Sequence, residues 1–150
     1  MSTPKYGPTK ALARIAARAA TVTGITSNRV ATGYKRWADS DDLERNIRSL
    51  TASTQGYFWA GIESLSSSGC NGEKSATISA ELLVFVPKDV DNDMVSPWDL
   101  ACDLQTALED PTSYGAGENP PSVGITLKSF ERREGAGSIA HFDLSMEVKY

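Results

Sequence analysis

Asp89-Val90-Asp91-Asn92-Asp93 sets three carboxylates at alternate positions, the spacing with which a calcium-binding EF-hand loop begins. The rest of that loop is missing. Its sixth position is Met94, where glycine is needed for the sharp turn, and its twelfth is Leu100, where a bidentate glutamate should close the shell. The run therefore reads as an acidic, solvated loop ahead of a helix N-terminus. His141 is the only histidine, which removes multi-histidine metal centres and leaves one candidate base for a serine or cysteine nucleophile. It falls on the polar side of a strand, and no G-x-S-x-G elbow accompanies it, because Gly135-Ala136-Gly137-Ser138-Ile139 has the wrong spacing. A surface or interface histidine is expected. Gly-Ala-Gly at 115–117 and at 135–137 lacks the preceding parallel strand, the helix and the Lys-Ser/Thr of a phosphate-binding loop. Trp37, Trp59 and Trp98, with Tyr57 and Phe58, have faces that could stack bases, but their apolar neighbours point to core packing. No catalytic residue, cofactor site or metal site is expected, and the chain does not read as an enzyme.

The elements that would position these residues follow from periodicity. Pro4, Gly7 and Pro8 resist regular structure, so residues 1–8 read as an irregular tail, with Thr9 as N-cap of a helix running to about Val22 and ended by Thr23-Gly24. Its apolar stripe is Leu12, Ile15, Ala16, Ala19 and Val22. Lys10, Arg14 and Arg18 make a separate row at i, i+4 with no acidic residue on the same helix, either a solvated basic face or a docking surface for an acidic neighbour. Arg29–Trp37 reads as a strand bent at Gly33, and Ser40 as the cap of a short helix through Leu50. Tyr57–Leu65 and Ser75–Val86 read as an antiparallel pair joined by a Ser/Gly-rich turn. In the second of these, Ser75, Thr77, Ser79 and Glu81 alternate with Ala76, Ile78, Ala80 and Leu82. Ser96-Pro97-Trp98-Asp99 starts a helix that ends near Asp110-Pro111, with most of Trp98, Ala101, Cys102, Leu104 and Leu108 on one apolar side. Residues 124–132 and 138–150 then form two strands, the last alternating Ala140, Phe142, Leu144, Met146 and Val148 against His141, Asp143, Ser145, Glu147 and Lys149.

Composition sets the outer limits. At 150 residues, with 40% hydrophobic and 23% charged, the chain has ordinary globular usage and the size of one domain. No apolar run approaches the length that spans a bilayer, so no membrane is expected among its partners. Cys70 and Cys102 lie in dissimilar contexts and read as free thiols in a reducing compartment rather than as a disulfide. The net charge of −4 hides an asymmetry: residues 1–36 hold seven Lys/Arg and no acid, and the remainder holds all nineteen acids against eight bases. A basic end on an acidic body suggests contact with something acidic, either nucleic acid or the acidic face of another copy. The pI near 5.0 disfavours a dedicated nucleic-acid binder.

The order of the second half is SATISAELLVFVP from Ser75 to Pro87, the acidic loop KDVDND, the helix WDLACDLQTALED, and FERREGAGSIAHFDLSMEVKY at the end. Together with the strand from Tyr57 it resembles the lambda-like minor tail protein U family of phage tail terminators. The resemblance implies an α+β fold, an antiparallel sheet of about four to five strands flanked by two or three helices, in a single domain. It implies a structural virion protein of the tail and neck, assembled in the host cytoplasm. There it would form a homo-oligomeric ring, a hexamer, contacting the tail tube protein and a head-completion or connector protein while genome DNA passes without specific binding. In that setting Lys10, Arg14, Arg18, Arg29, Arg132 and Arg133 would lie at subunit or neck contacts, and Asp89, Asp91 and Asp93 would line the lumen. The departures lie upstream, in the basic first helix with its tail and in a long connection over residues 33–56. Two further readings stay open beside it: a head-completion or connector protein of the neck, and a small bacterial binding module. A small hydrolase using His141 would need a nucleophile close by.

Overall fold

In a computed structural model of the chain, residues 7–33, 54–67, 72–86, 95–114, 119–133 and 137–150 are described. Helix α1 spans Pro8–Ala19, so Pro8 belongs to the helix and Thr9 is not its cap. Proline at the first helical position gives up only an N–H that has no intrahelical acceptor, and its fixed φ already suits the helix. Gly7 is the N-cap residue, and its carbonyl accepts the first helical bond from Ala11 N–H at 2.9 Å. The far end also differs from expectation, stopping at Ala19 rather than near Val22. Beyond it Thr21 N–H reaches Arg18 O and Val22 N–H reaches Ala19 O, tight turns that keep Val22 buried. The apolar pattern thus outruns the helix that begins it. Ala11, Ile15 and Ala19 are its buried row, with Leu12 and Ala16 half-buried.

A 3-10 turn at Ser27–Arg29 leads into strand β1, which is only Val30–Thr32 and far shorter than the expected Arg29–Trp37. Gly33 follows with φ at +113°, a conformation that glycine adopts at no steric cost and that turns the chain out of the strand. Residues 34–37 and the expected helix from Ser40 to Leu50 lie outside the described residues. Strands β2 (Gln55–Ser67) and β3 (Lys74–Val86) form the expected antiparallel hairpin, with Tyr57 opposite Leu83 and Ser66 opposite Ser75. Strands β4 (Ser122–Arg133) and β5 (Gly137–Lys149) form a second one. The sheet order is β1-β2-β3-β5-β4. The seam joining the hairpins pairs β3 antiparallel with β5 along their whole lengths, from Ser75 opposite Lys149 to Val86 opposite Ser138. Strand β1 runs parallel to β2, with Val30 opposite Phe58, which makes the sheet mixed rather than wholly antiparallel. A parallel neighbour needs a long connection, and the stretch from Gly33 to Thr54 supplies one.

Helix α2, Val95–Glu109, starts one residue ahead of the expected cap Ser96 and ends, as expected, just before Asp110. The Asp110 carboxylate accepts from Thr112 N–H at 3.0 Å and from its hydroxyl at 2.8 Å, opening a short turn at Pro111–Ser113. Leu100, Ala101, Leu104 and Leu108 are buried, a row of leucines at i, i+4 and i+8 with Ala101 beside it. Cys102 and Trp98 are the members of the expected set that leave this row. Two residues along a helix is a rotation of about 200°, so each stands away from Leu100. The Cys102 thiol is free and exposed, whereas Cys70 lies outside the described residues. Trp98 is 42% exposed, yet its long ring still reaches the core edge-to-face on Phe142, centroids 4.9 Å apart. Gln105 donates to Val123 O at 2.9 Å, and Val123 N–H donates to Glu109 Oε2 at 3.3 Å, fastening α2 to the start of β4. Among the described residues no helix is long and apolar enough to cross a membrane.

One core runs from Ala11 in α1 to Val148 in β5 between the two helices and one face of the sheet. Ala76, Ile78, Ala80, Leu82 and Val84 of β3 point into it, with Ala140, Phe142, Leu144, Met146 and Val148 of β5 beside them. Alternation holds along β5 to the end. In β3 it gives way after Ala80, because every residue from there to Val86 is buried. Leu83 and Phe85 point away from the helices and cluster with Tyr57, whose ring meets Phe85 edge-on at 5.4 Å.

Candidate functional site

Past the Tyr57 cluster, the sheet face turned away from the helices becomes polar. Cross-strand register aligns Trp59, Glu81, Asp143 and Thr126 in one row, and Gly61, Ser79, Ser145 and Gly124 in the next. Each outer strand carries one extra residue here. The register slips between Ile62 and Ser64 in β2 and between Leu127 and Ser129 in β4, leaving Glu63 and Lys128 as the bulged residues. Bulges re-aim side chains, and both residues line a hollow of about 410 Å³ together with Trp59, Ser79, Glu81, Thr126, Asp143 and Ser145. Trp59 is buried beside this hollow, held by its indole N–H donating to Gly33 O at 2.9 Å.

Three side chains converge on this face of the sheet, and two of them, Glu81 and Asp143, line the hollow. His141 and Asp143, two apart on β5, share a face, and β3 sets Glu81 directly opposite Asp143. His141 Nε2 lies 3.6 Å from Glu81 Oε1 and 3.7 Å from Asp143 Oδ1. Side-chain exposure grades outward, from 7% for Glu81 to 14% for His141 and 50% for Asp143. His141 is therefore largely buried, not the solvent-facing residue its strand position suggests. Its Nε2 is buried and makes no hydrogen bond among the described residues. The Ser79 hydroxyl is committed to Glu63 Oε2 at 2.7 Å, so it is not aimed at the imidazole as a nucleophile would be. One imidazole nitrogen and two carboxylates suit an electrostatic cluster or the binding of a cation.

The residues singled out as contacts scatter over the molecule. Lys10, Arg14 and Arg18 ride on α1, on the opposite side of the sheet from the three-residue cluster. Lys10 is exposed, but Arg14 and Arg18 are half-buried, and Arg18 Nε is buried without a hydrogen bond among the described residues. The row is therefore not a fully solvated face. Arg29 turns inward, its guanidinium 5.3 Å from the centre of the Tyr57 ring, a cation–π contact. Arg132 and Arg133 end β4, paired through the backbone with Ser138 and Gly137. Asp89, Asp91 and Asp93 lie outside the described residues. Glu81 joins His141 and Asp143 only because β3 and β5 are neighbours, and alternation within one strand carries no signal of strand order. The chain matches no protein-family model and no curated protein.

Proposed function

We propose that the chain is a structural virion subunit, a tail terminator that closes a phage tail tube as a ring and joins it to the neck. The observation that carries this reading is the placement of charge. The basic row of α1 stands on one side of the sheet, which it shares with the acids of α2, and Glu63, Glu81, Asp143 and Glu147 stand on the other beside Lys128 and Lys149. A basic row on one side and an acidic group on the other suit a head-to-tail contact between copies, and such contacts make rings where the rotation between copies closes. The hairpin–helix–hairpin order of β2 to β5 is also the order on which the resemblance to tail terminators rests.

Electron microscopy of the purified chain mixed with tail tubes lacking their terminator tests the reading. A ring of copies should cap one end of each tube. Charge reversal by Arg14→Glu with Arg18→Glu should weaken capping and remove its salt dependence while circular dichroism confirms the fold. Tubes left bare by the unmodified chain would overturn the reading. Binding to the head vertex instead would assign the chain to the connector.

A further inference from the structure

The geometry points to a binding site for a zinc-class divalent cation at Glu81, His141 and Asp143, on the sheet face away from the helices. It stands independently of the ring reading, which requires no metal. One ligand atom from each residue lies within 4.8 Å of the other two. The distances from His141 Nε2, 3.6 Å to Glu81 and 3.7 Å to Asp143, exceed hydrogen-bond length. They are close to the spacing between two ligands of one tetrahedral ion, about 3.4 Å when each bond is about 2.1 Å. His141 Nε2 is therefore too far from either carboxylate for a hydrogen bond and close enough to share an ion with both.

Burial supplies the second argument. The Nε2 atom of His141 is buried without a hydrogen bond among the described residues and faces both carboxylates, and an orphaned buried polar atom carries the full cost of its desolvation. A cation between the groups would engage that nitrogen. Two carboxylates would neutralise a divalent ion, and Asp143, half exposed, leaves an entry path and room for a water as fourth ligand. One imidazole favours Zn²⁺, Co²⁺ or Ni²⁺ over Mg²⁺ or Ca²⁺, which take oxygen alone. Glu63 and Lys128 line the hollow beside Glu81 and Asp143 with opposite charges, so the two together add no net charge there.

The single histidine makes the test direct. Chelator-treated full-length protein is titrated with Co²⁺ and with Zn²⁺ alone, following visible absorption for cobalt and the one imidazole signal by NMR for zinc. The expected result is one ion per chain, a cobalt spectrum of low coordination number, a shift of the imidazole signal and a raised Tm. Asp143→Asn, at the exposed ligand, should keep the fold and weaken binding at least tenfold, and His141→Ala should abolish it. A Cys70→Ser, Cys102→Ser double variant should bind as the unmodified chain does. An imidazole signal unmoved by saturating Zn²⁺, undiminished binding in Asp143→Asn, or loss of binding in the cysteine variant would each overturn the site.

Discussion

Phe142→Ala should destabilise the protein by about 3–5 kcal/mol, the range for removing a buried aromatic ring, and lower Tm by on the order of 10 °C for a chain of this size. Phe142 is fully buried. It occupies the row that joins Leu82 of β3 to Leu127 of β4, and it carries Trp98 of α2 edge-on. The ring therefore touches both hairpins and the helix that covers them, and the hole left by alanine has walls from three elements that cannot all collapse into it. Thermal and urea unfolding followed by circular dichroism measure the loss. Phe142→Leu, which keeps most of the volume, should cost less than half as much. Equal losses for the two variants would mean that ring packing on Trp98, rather than cavity volume, sets the energy.

Gly61 and Gly124 give the second large contrast. They stand in one cross-strand row, separated by Ser79 and Ser145, yet alanine should be refused at one and accepted at the other. A Cβ at Gly61 would fall 2.7 Å from Trp59 Cζ2, 2.9 Å from Cη2 and 3.1 Å from Gly33 O. The indole would have to leave the Gly33 carbonyl that holds its N–H, and overpacking of this kind costs about 1–3 kcal/mol. At Gly124 the nearest atom is Ser145 O at 3.8 Å, ordinary contact, so Gly124→Ala should stay within about 0.5 kcal/mol of the unmodified protein. Denaturation midpoints report both values. The indole N–H signal of Trp59 should move in Gly61→Ala and hold still in Gly124→Ala.

Much of this architecture is legible in residue order. Both hairpins, the helix between them and the inward set of β5 follow from period-2 alternation bounded by turn formers. The departures have separate physical causes. Pro8 reads as a breaker, but at the first helical position it breaks nothing. Val22 keeps the helical pattern in a chain that has already left the helix. Leu83 and Phe85 pack with Tyr57 on the face that Ser75 to Glu81 mark as polar, and alternation cannot register a strand buried on both sides. Hydropathy marks Trp98 and Cys102 as apolar along α2, but Leu100 sets the angle of the buried row and leaves both outside it. The candidate site was legible only in halves. His141 and Asp143 share a strand face that alternation identifies, and Glu81 shares another. That the two faces touch is a fact of sheet order, which depends on which hairpin edges find each other.

The same sheet order has a kinetic meaning. Each hairpin joins strands separated by a short connection and can zip from that end on a timescale of roughly microseconds. The β3–β5 seam gains nothing until the whole stretch bearing α2 has closed, and the entropy of that closure is lost before any of its pairs reward it. The appearance of the complete sheet is therefore governed by an encounter between two preformed halves rather than by the readiness of any strand to extend. Until that encounter, each half presents an unpaired strand edge lined with the residues of the future core. At high concentration, as in an overproducing cell, the first suitable edge a hairpin meets belongs to another molecule, so mispairing between copies competes with folding at this seam before anywhere else.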